Sequence, residues 1–591
     1  MAPANNSEFT LRAVISGLFV GCLIGASNVC IGLKIGWTFG ASITAAVISF
    51  AFFRMLGRLR NPYTAKENLI SATAGSSSGT MASAGGLVAC IPALEMLGRE
   101  LSYWELIGWS ASIAFLGVFF AVPLRRQMIV AEKLRYPTGT ATGETIKAMY
   151  ASGAEALAKA KMLLYSALAA AAIKLLYSIK PLGLHALENL SLNDIGLKQV
   201  GILGTAVYAL RLGFNLSPMM MGAGILIGPR VGWSLLAGSV IAWGVCAPVL
   251  LDMGVVEAET AKEVYKAAFK WVLWPGVAMM VFSGFTSLAL QWRTVARTFT
   301  AMGKKQQAPE EGEEEDAPDP FPLTLWIIGL AAAATLTVVL ASLLFEIAIW
   351  MSLLAVILSF LIAMIAVRAT GETDINPVGA MGKITQVVYG ALDPGKMTTN
   401  LMAAGITAAG ASQAGDLMHD LKAGYMLKVS IRRQVFTQLI GVSAGIFAVA
   451  GVYRLLTAAY QIPGDDFTGP AVQAWYAMAQ VLAQGLGSLP PGAVEAAGVG
   501  ALLGIALPLL ARVKRVARFL PSPVALGIAF MVPAYYCWGM WLGALLTQQV
   551  NRRRPELVES YGPSLASGLI AGEGIMMVVV AVLLILGVSW V

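Results

Sequence analysis

Gly371–Gln386 reads GETDINPVGAMGKITQ and Asn400–Gln434 reads NLMAAGITAAGASQAGDLMHDLKAGYMLKVSIRRQ. This third quarter of the chain, Gly371 to Arg433, decides the fold. Long apolar runs lie on both sides of it, yet it carries Glu372, Asp374, Asn376, Lys383, Gln386, Gln413, Asp416, His419, Asp420 and Lys422 among its glycines. An ionisable side chain in hydrocarbon costs roughly 2.5 to 3.5 kcal/mol on the mildest insertion scale, so such groups are expected to face a partner or a water-filled cavity. The stretch is therefore expected to line a route through a membrane.

Working outward, the rest of the chain agrees. It has 591 residues, 57% hydrophobic and only 13% charged, with a mean hydropathy of +0.72; soluble proteins carry about 25% charged residues. The composition predicts an all-α polytopic membrane protein. At roughly 20 residues per spanning helix the apolar runs supply about 16 transmembrane segments, some of them broken or re-entrant. The first run continues to Ile31 without a small-residue cleavage site and reads as a retained helix, not a signal peptide. Cys22, Cys30, Cys90, Cys246 and Cys537 sit in apolar runs without a C-x-x-C pair, which points to packing, not to disulfides or structural zinc.

The net charge of +8 would suggest nucleic acid in a soluble chain. Here the bases cluster in short loops between apolar runs, at 54–60, 125–135, 512–518 and 552–554, as cytoplasmic anchors do under the positive-inside rule. The expected location is the cytoplasmic (inner) membrane, multi-pass, with the N-terminus cytoplasmic and no nucleic-acid partner.

An acidic, proline-bounded run at 303–320 divides the chain into a first transmembrane half, 1–302, and a second, 321–591; the run itself is expected to be a disordered loop. The halves echo one another. Gly32, Gly40 and Ala41 share a frame with Gly371, Gly379 and Ala380, and Asn68-Leu69 with its small-residue run matches Asn400-Leu401. Two structurally related halves place a substrate site near mid-bilayer, often on discontinuous helices. Ser71–Gly86, unusually small and polar for a span, is expected either to pack tightly or to break and line a cavity. Asn215, Ser217 and Pro218 stand directly before a helix, where free amides could meet an anionic ligand. Met219–Met221 point in different directions and read as packing in preference to a soft-metal site.

SNVCIGLKIGWTFGAS, EKLRYPTGTATGE, SPMMMGAGILIGPR, GETDINPVGAMGKITQ, AAGASQAGDLMHDLKAGYML, LPSPVALGIAF and SGLIAGEGI together resemble the oligopeptide transporter family in its prokaryotic branch, related to the yellow-stripe-like metal-chelate carriers. The resemblance runs from Ser27 to Ile575. It implies about 16 helices in two related halves, and proton-coupled uptake of peptides or of metal bound to small chelators.

Proton coupling needs a carboxylate or histidine that exchanges protons near neutrality. The candidates are Glu372, Asp374, Asp416, Glu573, Glu144 and His419, with Asp420 beside them; a solvated loop end is the plain reading of Asp420 and Lys422. Glu573 stands out because IAGEGI is apolar on both sides. A purely structural role for Glu372 and Asp374 would be an ion pair with Lys34 or Lys383. Cargo carrying both charge signs calls for amides, a base and apolar walls, and Asn28, Lys34, Trp37, Asn68, Asn376, Gln386, Tyr389 and Gln413 supply them. His185 and His419 are the only histidines and cannot build a histidine-rich metal site. No cofactor is expected, and any metal would arrive as part of a transported chelate. The expected partners are that peptide or chelate, the lipid bilayer and, without any residue requiring it, a second copy in a homodimer.

Rival readings remain. A sodium-coupled carrier needs no sequence signature, because unwound carbonyls bind sodium. An intramembrane enzyme finds only Gly75, Ser77 and Gly79 in a G-x-S-x-G frame, without the strand-to-helix turn or nearby histidine that motif requires. H-E-x-x-H and a channel filter repeat are absent.

Overall fold

The structure, a computed structural model, describes residues 8–56, 62–151, 153–184, 188–191, 201–202, 205–258, 261–293, 296, 321–374 and 376–588. His185 and the acidic run at 303–320 lie outside them. In chain order the longer helices are α1 (Leu11–Ile35), α2 (Ser42–Met55), α3 (Ala65–Gly79), α4 (Tyr103–Arg125), α5 (Pro137–Ala151), α6 (Gly153–Ser178), α7 (Pro218–Ser239) and α8 (Ala261–Leu290). They continue as α9 (Leu323–Phe345), α10 (Ile349–Thr373), α11 (Val378–Leu392), α12 (Met397–Leu427), α13 (Ile431–Ala459), α14 (Pro470–Gln484), α15 (Ala493–Leu510), α16 (Ala534–Arg553) and α17 (Pro555–Ile585). The protein is an all-α polytopic membrane protein. Among the described residues the strands form two short antiparallel ribbons, β1 (Asn189–Ser191) with β4 (Gly213–Asn215) and β2 (Gly201–Ile202) with β3 (Thr205–Ala206).

Among the described residues, 10 helices are long and apolar enough to cross a bilayer. The sequence count of about 16 also took in shorter and more polar pieces. Ser42–Met55 is apolar but has 14 residues, and the 31-residue α12 carries too many polar groups to fall among the ten.

Two compact units cut across the two sequence halves. Unit 1 comprises Met1–Val29, Thr38–Ala160 and Leu290–Arg454; unit 2 comprises Cys30–Trp37, Lys161–Ala289 and Leu455–Val591.

In unit 1, α3 is surrounded by neighbours that its small residues admit. A Cβ at Gly21 of α1 would stand 2.6 Å from the Gly75 carbonyl, and one at Gly445 of α13 would stand 2.6 Å from Ser78 Cα. Ser78 Oγ closes the second contact by donating to the Gly441 carbonyl at 2.9 Å. A capping box starts the helix: Thr64 Oγ1 accepts from Glu67 N, and the Glu67 carboxylate accepts from Thr64 N, satisfying two amides that helix geometry would leave unpaired. Beyond Gly79 the segment breaks into Met81–Ala84 and Cys90–Glu95, with Gly86 at φ +78° between them. Ser71–Gly86 thus packs tightly and then breaks.

In unit 2, α7 starts at the N-cap Ser217, which accepts from Met220 N, with Pro218 in the first turn. It departs from helical geometry at Gly228 (φ 77°, ψ 173°), just before Pro229, where proline cannot continue the hydrogen-bond ladder. Met219 and Met220 are fully buried and serve as packing. Trp243 anchors the neighbouring core, its Nε1 donating to the Ala529 and Val532 carbonyls at 3.1 and 3.0 Å and its ring stacked on Tyr265 at 4.5 Å.

Close approach of α7 and α16 gives a stability prediction. A methyl group at Gly224 would collide with the Met540 carbonyl oxygen and reach 2.9 Å from Ala544 N, whereas one at Gly498 in α15 meets nothing within 4 Å. Gly224→Ala is expected to destabilise the fold by about 1 to 3 kcal/mol, since overpacking against backbone outweighs the gain in helix propensity. Gly498→Ala should be neutral or slightly stabilising. Paired melting curves in detergent check the contrast.

Candidate functional site

Buried charge gathers in two places, one in each unit. In unit 2 the centre is Glu573, fully buried within α17. The sequence placed an anion site at the start of α7, and the anion found there is this carboxylate. Ser217 Oγ lies 2.7 and 2.6 Å from its two oxygens, and Met219 N donates to Oε2 at 2.8 Å. Asn215 Oδ1 steadies the turn by accepting from Ser217 N at 3.1 Å. Lys34, at the end of α1 and 3% exposed, places Nζ 3.9 Å from Glu573 and 4.0 Å from Glu188. Its third neighbour is the Tyr536 ring, 5.6 Å from Nζ to the centroid.

Glu188 precedes β1, and its carbonyl accepts from Leu216 N at 2.9 Å, so the β1–β4 ribbon ties it to the same turn that carries Ser217. Lys174 of α6 donates to both Glu188 oxygens at 2.8 Å. Burial alone would raise the Glu188 carboxyl, but Lys174, with Lys34 behind it, prevails and holds it below the usual carboxylate range. Two lysines thus balance two glutamates. The sequence reading picked out Lys34 and Glu573 and missed Lys174 and Glu188. A lone lysine inside the apolar run of α6 was a signal for the first; nothing local marks the second.

In unit 1, α5 begins against α12 and the end of α10. Thr138 donates from N and Oγ1 to the two Asp374 oxygens, each at 2.8 Å, and Gly139 N donates to His419 Nδ1 at 3.2 Å. With Nδ1 accepting, a neutral imidazole carries its proton on Nε2, 3.8 Å from Asp374 Oδ1. Asp374 and His419 together cap α5. Glu372 faces Arg368, Nε to Oε1 3.4 Å, and Arg368 also pairs with Glu132. Lys383, one of the lysines expected to pair with Glu372 and Asp374, pairs with neither; the partners found are Arg368, Thr138 and His419. Glu144 is exposed on α5 and lacks the burial on which its candidacy rested.

Asp416 and Asp420 lie one helical turn apart on α12, so their side chains share a face. Asp420 is fully buried, and its expected position at a solvated loop end is corrected: the helix runs on to Leu427. Ser42 Oγ of α2 donates to Asp420 Oδ1 at 3.0 Å and lies 3.0 Å from Ser76 Oγ of α3. Asp420 Oδ2 has no partner. Asp416 is partly buried beside Thr80. Among the described residues no lysine, arginine or histidine pairs with either carboxyl. Gln434 of α13 donates to the Asp420 carbonyl at 2.9 Å. One turn on, Gln438 is fully buried with both amide atoms unpartnered.

The amides expected to meet cargo have varied surroundings. Asn28 is saturated, bonding Phe39 N, Phe39 O and Gly79 O at 2.8 to 3.0 Å. Gln386 and Asn400 bond one another at 3.0 Å, and Tyr389, fully buried, donates to the Met351 carbonyl at 2.5 Å. Asn68 and Gln413 are fully buried with neither amide atom satisfied; Asn376 donates to the Ala411 carbonyl at 3.0 Å and leaves Oδ1 unpartnered. Trp37 is half-buried, in unit 2. No group of three or more metal-ligating side chains is found among the described residues.

Helices of this length and apolarity, with ionisable groups held inside, define a multi-pass membrane protein. Comparison with known proteins then supplies the family. The family described as OPT oligopeptide transporter protein matches residues 8–584, and the chain belongs to it. It is a membrane transporter, not an enzyme. It is similar to the putative oligopeptide transporter YGL114W of Saccharomyces cerevisiae, at 26% identity over 97% of this chain and 95% of that protein. It is also similar to the probable metal-nicotianamine transporter YSL14 of Oryza sativa subsp. japonica, at 25% identity over 97% and 85%. The metal-nicotianamine transporter YSL1 of Arabidopsis thaliana matches at 25% identity over 98% and 92%.

Proposed function

We propose that the protein is a proton-coupled secondary transporter that imports small oligopeptides or metal–nicotianamine chelates across the cytoplasmic membrane by alternating access, with its N-terminus in the cytoplasm. The observation that carries the coupling is the Asp416–Asp420 pair: two carboxyl groups one turn apart, one fully buried with an unpartnered oxygen, and no cation beside them among the described residues. An uncompensated buried charge costs several kcal/mol, and like charges in one site raise that cost, so the pair retains a proton. Such a pair titrates as a unit. Proton loss and gain there, linked to cargo occupancy, is the coupling step.

A sodium-coupled variant has one observation in its favour: the oxygens of Ser42 and Ser76 beside Asp420 are the hard donors that suit such a cation. Uptake into proteoliposomes decides. Labelled peptide or chelate should accumulate under an inward proton gradient in sodium-free buffer. Accumulation driven by sodium alone would refute the proton reading.

A further inference from the structure

In unit 1, α4 leaves α-helical geometry for a π turn at Arg126–Ala131, and such turns gather at functional sites. The chain then crosses to α5 with two residues in left-handed geometry, Lys133 at φ 51° and Tyr136 at φ 44°. Lys133 follows the end of the π turn, where a left-handed residue is ordinary. Tyr136 stands directly before a helix start, where extended backbone is usual, and a bulky aromatic residue at positive φ is strained. Such strain persists only where surrounding contacts impose it.

Here the contacts come from α10 and α12. Gly371 O accepts from Tyr136 N at 3.0 Å, Val367 O accepts from Tyr136 Oη at 3.2 Å, and Arg368 pairs with Glu132. The fit is close: a Cβ at Gly371 would lie 2.8 Å from Tyr136 Cζ. From α12, Lys422 Nζ donates to Leu134 O at 2.9 Å, and the His419 ring meets the Tyr136 ring edge to face at 5.9 Å. Asp374 and His419 accept from the amides of Thr138 and Gly139. Tyr136 is fully buried, while Lys133, Arg135 and Pro137 are exposed. The segment is thus a surface strap with one deep anchor. His419 and Lys422 flank Asp420 in α12, so the strap grips the helix that carries the Asp416–Asp420 pair.

We propose that Glu132–Gly139 is a gate strap. Seated as here it holds α12 against α10; it lifts during the transport cycle to let α12 move, and Tyr136 is the positioning residue that reseats it. The inference rests on the alternating-access reading above. The strained Tyr136 backbone favours release once its anchors break. Each anchor is a hydrogen bond or ion pair of modest net worth that water can replace. A fixed brace would need neither property.

Hydrogen exchange tests the strap on the wild-type, full-length protein in detergent. The amides of Tyr136, Thr138 and Gly139 are held by Gly371, Asp374 and His419, so they exchange when the strap lifts. Trialanine and nickel–nicotianamine are the probes, and uptake into proteoliposomes shows which of them is cargo. With saturating cargo the peptide spanning 132–142 should exchange at least about threefold faster than without it, the mark of a population shift. A cross-link gives a second readout. Thr138→Cys with Asp374→Cys, joined by a short reversible thiosulfonate linker, should take up cargo at least about tenfold more slowly and recover on reduction, as a locked gate would. Either single-cysteine variant treated alike should be unaffected. Cargo uptake without faster exchange in wild type, or uptake that survives the cross-link, overturns the strap and leaves the transporter reading standing. If neither probe is taken up, the cargo reading falls and the strap with it.

Discussion

With Asp416 and Asp420 both replaced by asparagine, the protein loses concentrative uptake. One proton entering per cargo down a gradient of about two pH units is worth about 2.7 kcal/mol, enough for an accumulation ratio of about 100; the double variant should equilibrate its cargo at a ratio of about 1. Asparagine keeps the shape and an acceptor for Ser42 but has no exchangeable proton near neutrality. Exchange of labelled for unlabelled cargo across the same vesicles should persist, because it needs the alternating movement and not net proton flux. The sign in pH follows from the same picture. Wild-type initial rates rise as the outside is acidified, since protonation from that side loads the pair, and the double variant responds weakly or not at all. Folding should not suffer, because neutral amides remove the need to hold a buried charge without a cation beside it. Undiminished accumulation by the double variant would remove the pair from the mechanism.

How far this was legible in the sequence differs by element. Asp416 and Asp420 announce themselves, because two acids four residues apart in a glycine- and alanine-rich helix share a face whatever surrounds them. Their setting does not. Ser42 reaches Asp420 from 378 residues away, and only tertiary folding shows that the second acid is sealed. Gly371–Thr373 looked like part of a charged site, yet its acid is taken by Arg368 of its own helix, a pairing four residues apart that local periodicity permits but does not demand. The start of α7 was read as open to an anionic ligand, and its donors are taken up by a side chain of the protein instead. What could not be read is that the anion is Glu573, 356 residues later. Unit borders were illegible for a different reason. Two of them fall inside continuous helices, between Val29 and Cys30 of α1 and between Arg454 and Leu455 of α13, where no linker composition marks them.

Removing Lys34 alone should cost more than removing it together with Glu573. Lys34, Lys174, Glu188 and Glu573 balance two against two, and Lys34 stands 3.9 and 4.0 Å from its two acids. Lys34→Met leaves Glu573 without its cation, and breaking a buried pair from one side costs about 3 to 5 kcal/mol. Glu573→Gln leaves Lys34 to share Glu188 with Lys174, and it weakens the hydrogen bonds from Ser217 and Met219, each worth about 1.5 to 3 kcal/mol when the acceptor is charged. The double variant restores neutrality, so the cycle should show a coupling of about 1 to 3 kcal/mol, read from denaturation of the four proteins in detergent. Transport measured on the same set separates two roles for Glu573. As a structural counter-charge, Glu573→Gln lowers stability and uptake in parallel, and Lys34→Met with Glu573→Gln recovers both. As a proton carrier, which its isolation in IAGEGI suggested, Glu573→Gln would abolish gradient-driven accumulation in a protein that still melts near the wild-type temperature, and no second substitution at Lys34 would bring it back. The fixed donors Ser217 Oγ and Met219 N and the nearby Lys34 are the surroundings of a structural counter-charge, which favours the first outcome.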